Sequence, residues 1–205
     1  MGYGNLSPKN IPANIIASVE SLIGWLSLAV STSLLYGKFA QPAAFLKFSN
    51  NAIIAPYKDI TALMFRVAPY KNTSLIDAEA KVSLALKLKE EGKPVNKFFE
   101  LPLEYQTINT LTLSWTLVHP IDEKSPLFNF TREDYKSIEG EIMVFLKAFD
   151  DMFSGVVVAR TSYTFKEVVL GAKFRSMYYR SKKGEKTILD LQKLNLYHKE
   201  DIKIK

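Results

Sequence analysis

Lys81-Val82-Ser83-Leu84-Ala85-Leu86-Lys87-Leu88-Lys89 alternates apolar and polar side chains almost without interruption. Successive side chains on a strand point to opposite faces. Val82, Leu84, Leu86 and Leu88 are therefore set against a core, while Lys81, Ser83, Lys87 and Lys89 meet water. Leu111, Leu113, Trp115 and Leu117 repeat the pattern against Thr110, Thr112, Ser114 and Thr116. Ile142, Val144, Leu146 and Ala148 give a third run. Further β-rich runs lie near 51–56, 60–68, 97–105, 156–166 and 172–179. Turn formers part them at Pro69 to Asn72, Glu91 to Pro94 and Met152 to Gly155. Many short strands separated by turns predict an antiparallel sandwich. One short helix is predicted from Thr131 to Ser137, with Thr131 as cap and Asp134 at its third position.

Upstream of these strands the period is helical until Pro42 stops it. From Asn10 to Gly37 the only charge is Glu20, and Ser21 to Tyr36 has none. A helix needs about 20 mainly apolar residues to cross a bilayer, so this segment is marginal to adequate for a span, depending on how Glu20 is accommodated. A buried helix of a soluble protein is the plainer alternative on this segment alone. A secretory signal is not supported, because no basic region precedes the segment and no small-residue cleavage site follows it. Lys38 and Lys47 follow and favour a cytoplasmic location for the rest, although Lys9 stands on the other side.

The 205 residues are 47% hydrophobic, which suits one domain of ordinary size plus a smaller element. The net charge is +6, with 27 basic residues spread among 21 acids. Mild attraction to anionic lipid fits that spread, and a nucleic-acid partner is not expected. Without cysteine there is no disulfide framework and no thiol nucleophile. His119 and His198 are far apart, phosphate-binding glycine loops are absent, and the carboxylates form no pair. His119 sits in a His-Pro turn and reads as structural. No nucleophile, base and oxyanion donors assemble, so no enzyme and no cofactor or metal are expected.

Gly2-Tyr3-Gly4 stands shortly before the apolar helix. Glycines at alternate positions permit the backbone angles that turn successive carbonyls toward a permeant ion. Four later blocks are more specific. Phe48-Ser49-Asn50-Asn51-Ala52-Ile53-Ile54-Ala55 is followed by Leu63-Met64-Phe65-Arg66-Val67. Then come His119-Pro120-Ile121-Asp122-Glu123-Lys124-Ser125-Pro126-Leu127 and Ala159-Arg160-Thr161-Ser162-Tyr163, with Glu167 and Gly171 downstream. In this order the blocks resemble the inward-rectifier potassium channels, and their prokaryotic branch most closely. The resemblance runs from Gly2 to about Phe174.

The resemblance implies a potassium-conducting homotetramer in the cell (inner) membrane, with an immunoglobulin-like domain in the cytoplasm. It divides the chain into the end of a selectivity filter and a linker (1–10), an inner pore-lining helix (11–40), the cytoplasmic β-sandwich (41–182) and a polar C-terminal tail (183–205). Ile188, Leu189, Leu191, Leu194 and Leu196 are apolar enough to dock that tail. The family's first membrane helix, pore helix and filter threonine have no counterpart here. The expectation is therefore an N-terminally truncated piece, or a start assigned at an internal Met.

Carried over residue by residue, Gly2, Tyr3 and Gly4 match the filter, whose backbone carbonyls coordinate K+. Leu28 falls where strong rectifiers place a pore acid, so weak rectification is expected. Ser31 and Thr32, with Ser27 and Ser33, suit a water-filled cavity, although such residues also serve helix packing. Tyr36, with Leu35 beside it, falls at the bundle-crossing gate. Lys147 to Gly155 resembles the loop that narrows the cytoplasmic pore. Phe149 stands at a constricting position there, and Lys147 where eukaryotic members carry glutamate. Lys38 would meet lipid headgroups, but the further basic residues of eukaryotic members are replaced by Gln41, Ala43 and Ala44. The alternative is a membrane-tethered β-sandwich that binds or regulates without conducting.

Overall fold

The computed structural model describes residues 7–40, 43–71, 74–90, 93–181 and 184–202, without the side chains of 89 and 90. It divides into two compact units, Met1–Gln41 and Pro42–Lys205.

The first unit is one helix, α1 (Ile11–Phe39). Asn10 caps it by accepting the Ala13 amide at 2.9 Å, and Pro12 lies in its first turn, where no amide donor is needed. At 1.5 Å per residue its 29 residues extend about 43 Å, more than the roughly 30 Å of a bilayer's hydrocarbon core.

The second unit is a sandwich of two five-stranded sheets. In the first, β3 (Ile60–Pro69) pairs with β1 (Leu46–Phe48), β2 (Ala52–Tyr57) and β7 (Trp115–Ile121). In the second, β4 (Leu75–Glu90) is flanked by β5 (Lys93–Glu100) and β8 (Glu139–Asp150), with β6 (Thr107–Thr110) at its start and β9 (Gly155–Thr164) beyond β8. The alternating run that opens the sequence reading is the second half of β4. Val82, Leu84 and Leu86 face the core, while Lys81 and Lys87 are exposed. One continuous core joins the sheets through Leu63, Phe65, Leu84, Leu117, Ile142 and Tyr163.

Three expectations are corrected. The sandwich is not purely antiparallel, because β10 (Val168–Leu170) lies parallel to β2. The run from Thr110 to Leu117 is not one strand. Leu111 enters the core from a loop held by its amide on the Leu75 carbonyl at 2.9 Å, and Leu113 is 36% exposed. The run at 97–105 ends as a strand at Glu100, and Leu101 and Leu103 plug the core from the loop that contains Pro102. The predicted helical turn is present as α2 (Asp134–Ser137). Thr131 and Asp134 exchange hydrogen bonds at 2.7 and 3.3 Å ahead of it, a reciprocal cap.

The apolar residues beyond 182 dock. β11 (Ala172–Phe174) pairs with β14 (Tyr197–Lys199), and β12 (Tyr178–Arg180) with β13 (Thr187–Leu189). Leu194 is fully buried against Ala68 and Met177. Gly171 adopts φ +70°, and a Cβ there would stand 2.7 Å from the Glu200 carbonyl oxygen, so only glycine lets the final strand close over it.

Ser49 ties the entry strand to both sheets. Its amide donates to the Arg66 carbonyl at 2.8 Å, and its hydroxyl accepts the Arg66 amide at 3.1 Å. The hydroxyl also donates to the Asn51 carbonyl at 2.9 Å. Across the core, the Tyr163 hydroxyl donates to the Ser49 carbonyl at 2.9 Å, and burial pushes that phenol up to about 12. Ser49→Ala strands a buried amide and is expected to cost about 1–3 kcal/mol. A urea titration followed by the fluorescence of buried Trp115 measures this; an unchanged midpoint would show that the tie is dispensable.

Candidate functional site

No residue of α1 is buried within the chain, and Trp25 and Tyr36 are 74% and 75% exposed. A helix that is apolar on every side is stable where lipid or neighbouring helices cover it, and one in water would expose a continuous apolar surface. Leu28, Thr32 and Tyr36 recur at helical spacing and line one shallow groove with Trp25, Ala29 and Ser33. The Thr32 hydroxyl donates to the Leu28 carbonyl at 2.8 Å, so its polarity is satisfied within the helix. Ser31 and Leu35 are not among the residues that line that groove. Lys38 lies in the last turn, where a cation complements the helix C-terminus. Gly2, Tyr3 and Gly4 lie outside the described residues.

In the second unit, Lys147 and Phe149 share the outward face of β8. Lys147 stands opposite Glu79 and Val158, and Phe149 opposite Ile76 and Val156. Both belong to the strand rather than to the turn at 151–154. Phe149 is half-buried, whereas Met152 and Phe153 protrude from the turn at 67% and 44% exposure. Arg160 shares the face of Lys147, with its guanidinium 5.4 Å from the Phe145 ring centre.

The turn is shaped by Asp150, which is fully buried. Its Oδ1 accepts the amides of Met152 at 2.9 Å and Phe153 at 3.3 Å, and its Oδ2 has no partner among the described residues. The Asp151 amide donates to the Ser74 carbonyl at 3.0 Å and ties the turn to the start of β4. The sequence reading assigns Asp150, Met152, Phe153 and Arg160 no role of their own, although they lie in the Lys147–Gly155 segment and the block quoted above. The signal for Asp150 is an aspartate two residues before a strand reversal, the side chain best able to cap such a turn.

His119 and Pro120 lie within β7 rather than in a turn, paired with Leu63 and Ala62 of β3; His119 is 2% exposed and joins two loops. One ring nitrogen, Nδ1, lies 2.7 Å from the Pro102 carbonyl, and the other, Nε2, lies 2.8 Å from the Ser125 hydroxyl. A carbonyl only accepts, so Nδ1 carries the proton and Nε2 accepts from Ser125. Ser125 in turn accepts the Leu127 amide at 3.2 Å, seating Leu127 in the core. The Ser125 hydroxyl at this imidazole is itself buried and occupied by the Leu127 amide, so the pair braces two loops and its role is structural. Among the described residues no group of three or more His, Cys, Asp or Glu could hold a metal.

Comparison with known proteins follows the same division. The profile of the family described as the inward rectifier potassium channel C-terminal domain matches residues 46–203. The chain is 32% identical over 196 residues to the inward rectifier potassium channel Kirbac3.1 of Paramagnetospirillum magnetotacticum, a match that covers 95% of this chain and 66% of that one. It is 29% identical over 186 residues to the G protein-activated inward rectifier potassium channel 1 of Bos taurus (84% and 36% covered). It is 26% identical over 198 residues to the inward rectifier potassium channel 18 of Homo sapiens (89% and 44% covered). The chain thus spans less than two thirds of the length of each of these relatives.

Burial holds the His119 imidazole below its ordinary value of 6.5, against smaller upward pulls from the Pro102 carbonyl and Asp122. The native state then binds fewer protons than the unfolded state just below 6.5. The stability due to neutral His119 is complete above that pH and is lost as pH falls through the window beneath it. Chemical denaturation from about pH 7 to about pH 5 is expected to show a steeper loss in the native protein than in His119→Gln, which keeps a donor and an acceptor but does not titrate. Parallel curves would remove His119 from the acid sensitivity.

Proposed function

The chain belongs to the inward-rectifier potassium channel family, and on that premise we propose that it forms the exit half of a passive potassium pathway, as one of four identical subunits around an axis. The observation that carries this reading is a membrane-length apolar helix, unburied on all sides, placed immediately before the family's cytoplasmic domain. On this reading α1 crosses the cell membrane, lipid and three copies of itself cover its apolar surface, and the sandwich lies in the cytoplasm.

K+ enters this half through the backbone carbonyls of Gly2, Tyr3 and Gly4. It then passes the groove face of α1, where Leu28, Thr32 and their neighbour Ser31 border a wide, weakly polar stretch. Tyr36 and Leu35 narrow the path at the cytoplasmic end, and Lys38 anchors that end among lipid headgroups, anionic ones included. The outward face of β8 continues the path, with Lys147 and Phe149 above the Met152–Phe153 turn. An apolar Leu28 and a basic Lys147 give polycations no counter-charge to settle on. Rectification by intracellular polyamines or magnesium is therefore weak. The protein supplies positions and fields rather than bond chemistry, and it needs no cofactor.

The direct test joins this chain to the preceding segment of the Paramagnetospirillum relative and reconstitutes the chimera in liposomes. Barium-sensitive potassium uptake is expected, and a folded tetramer without uptake would leave a tethered sandwich with a binding role as the better reading. In the same assay Leu28→Asp is expected to sharpen block by spermine by about ten-fold or more, because a ring of carboxylates in a low-dielectric pore attracts a polycation strongly. Equal block in both forms would remove Leu28 from the pathway.

A further inference from the structure

Residues 1–172 hold seventeen Lys and Arg and seventeen Asp and Glu, whereas residues 173–205 hold ten basic and four acidic side chains. The entire net charge of +6 therefore sits in the last sixth of the chain. Part of it is gathered on the β12–β13 hairpin, whose strands pair only with each other among the described residues.

Tyr178 and Tyr179 are 54% and 51% exposed. Neighbours on a strand point to opposite faces, so both faces of the hairpin are open. Arg180 and Lys186 are exposed and make no ion pair among the described residues. Ile188, 39% exposed, stands beside Tyr179 in register. Nearby Lys193 lies 5.4 Å from the Tyr179 ring centre and already meets Asp190 at 3.2 Å. The Arg66 guanidinium, in a side chain 8% exposed, donates to the Arg175 carbonyl at 2.5 Å and lies 4.5 Å from the Phe174 ring centre, with no ion pair among the described residues. The described carboxylates of this chain leave the cations here largely unanswered.

We propose that the β12–β13 hairpin is a docking edge for an acidic, extended segment of another polypeptide. Among the described residues each strand has an outer edge without a strand partner, and such an edge offers amides and carbonyls to an extended chain. Arg180 and Lys186 supply the charge that selects carboxylates. The two tyrosines supply large, rigid contact area at low entropic cost. A flat bilayer could reach only one hairpin face and would leave the other tyrosine unused, whereas a polypeptide can follow an edge and touch both.

The test holds the full chain in discs of zwitterionic lipid, which give α1 its bilayer, and titrates in a fluorescent oligoglutamate peptide. Binding is expected to weaken as salt is raised. It should fall about ten-fold when Arg180→Glu and Lys186→Glu are combined, and several-fold when Tyr178→Ser and Tyr179→Ser are combined. All four positions are exposed, and an unchanged Trp115 spectrum confirms that each variant is folded. The same peptide with alternate backbone nitrogens methylated keeps its charge but cannot pair with an edge, and should bind several-fold more weakly. Equal affinity for the charge-reversed protein would overturn the proposal, as would undiminished binding of the methylated peptide. Capture of phosphatidylglycerol vesicles without peptide binding would make the hairpin a lipid-facing surface instead and overturn it as well.

Discussion

Two sheets can bury their facing sides only if the strands that enter and leave the sandwich are held in register, and here that register depends on Ser49. This small side chain sits where the chain turns from β1 into β2, and it uses its amide, carbonyl and hydroxyl together. Through Arg66 it fixes the edge of β3, and through Tyr163 it reaches β9 in the opposite sheet. A slip of one residue would turn every apolar side chain of a strand away from the core. The neighbouring side chains extend the junction. Asn51 donates to the Glu167 carbonyl at 3.1 Å, and Asn195 accepts the Asn50 amide at 2.8 Å, so the last strands are attached at the same point as the first.

Local order carried most of the fold. Val82, Leu84 and Leu86 read as a strand and form one, because an alternating run with a buried face leaves the backbone little choice. The helix from Asn10 onward was equally plain, since its cap and apolar length are local properties. The Thr110–Leu117 run misled because alternation of Thr and Leu describes a strand and a core-plugging loop equally well; the Leu111–Leu75 hydrogen bond decides between them, and no window of sequence contains both residues. The parallel β2–β10 pair was invisible for the same reason, as a three-residue strand meets a partner more than half the chain away.

The candidate pathway residues came from resemblance rather than from pattern. Leu28, Thr32 and Tyr36 lie four residues apart, and one groove contains all three. Lys147 and Phe149 were expected in a loop, and instead they share a face of β8. Asp150 was not legible, because an aspartate beside a turn ordinarily reads as solvated, and only the folded turn reveals that its carboxylate is sealed beneath Met152 and Phe153. That buried carboxylate gives the turn a fixed shape, which suits a surface that on the proposed reading must present the same profile from every subunit.

The closure of the final strand over Gly171 bears on how the protein is made. The sheet begun by β1 is completed only when β10 arrives, and Gly171 is covered only when β14 and Glu200 follow. During synthesis α1 leaves the ribosome first and can be handed to a membrane, while the sandwich remains open-edged for most of its translation. Premature termination before the last strand would therefore release a chain with an unfinished sheet and, on the proposed reading, a helix already in the membrane, a substrate for quality-control proteases rather than a smaller working protein.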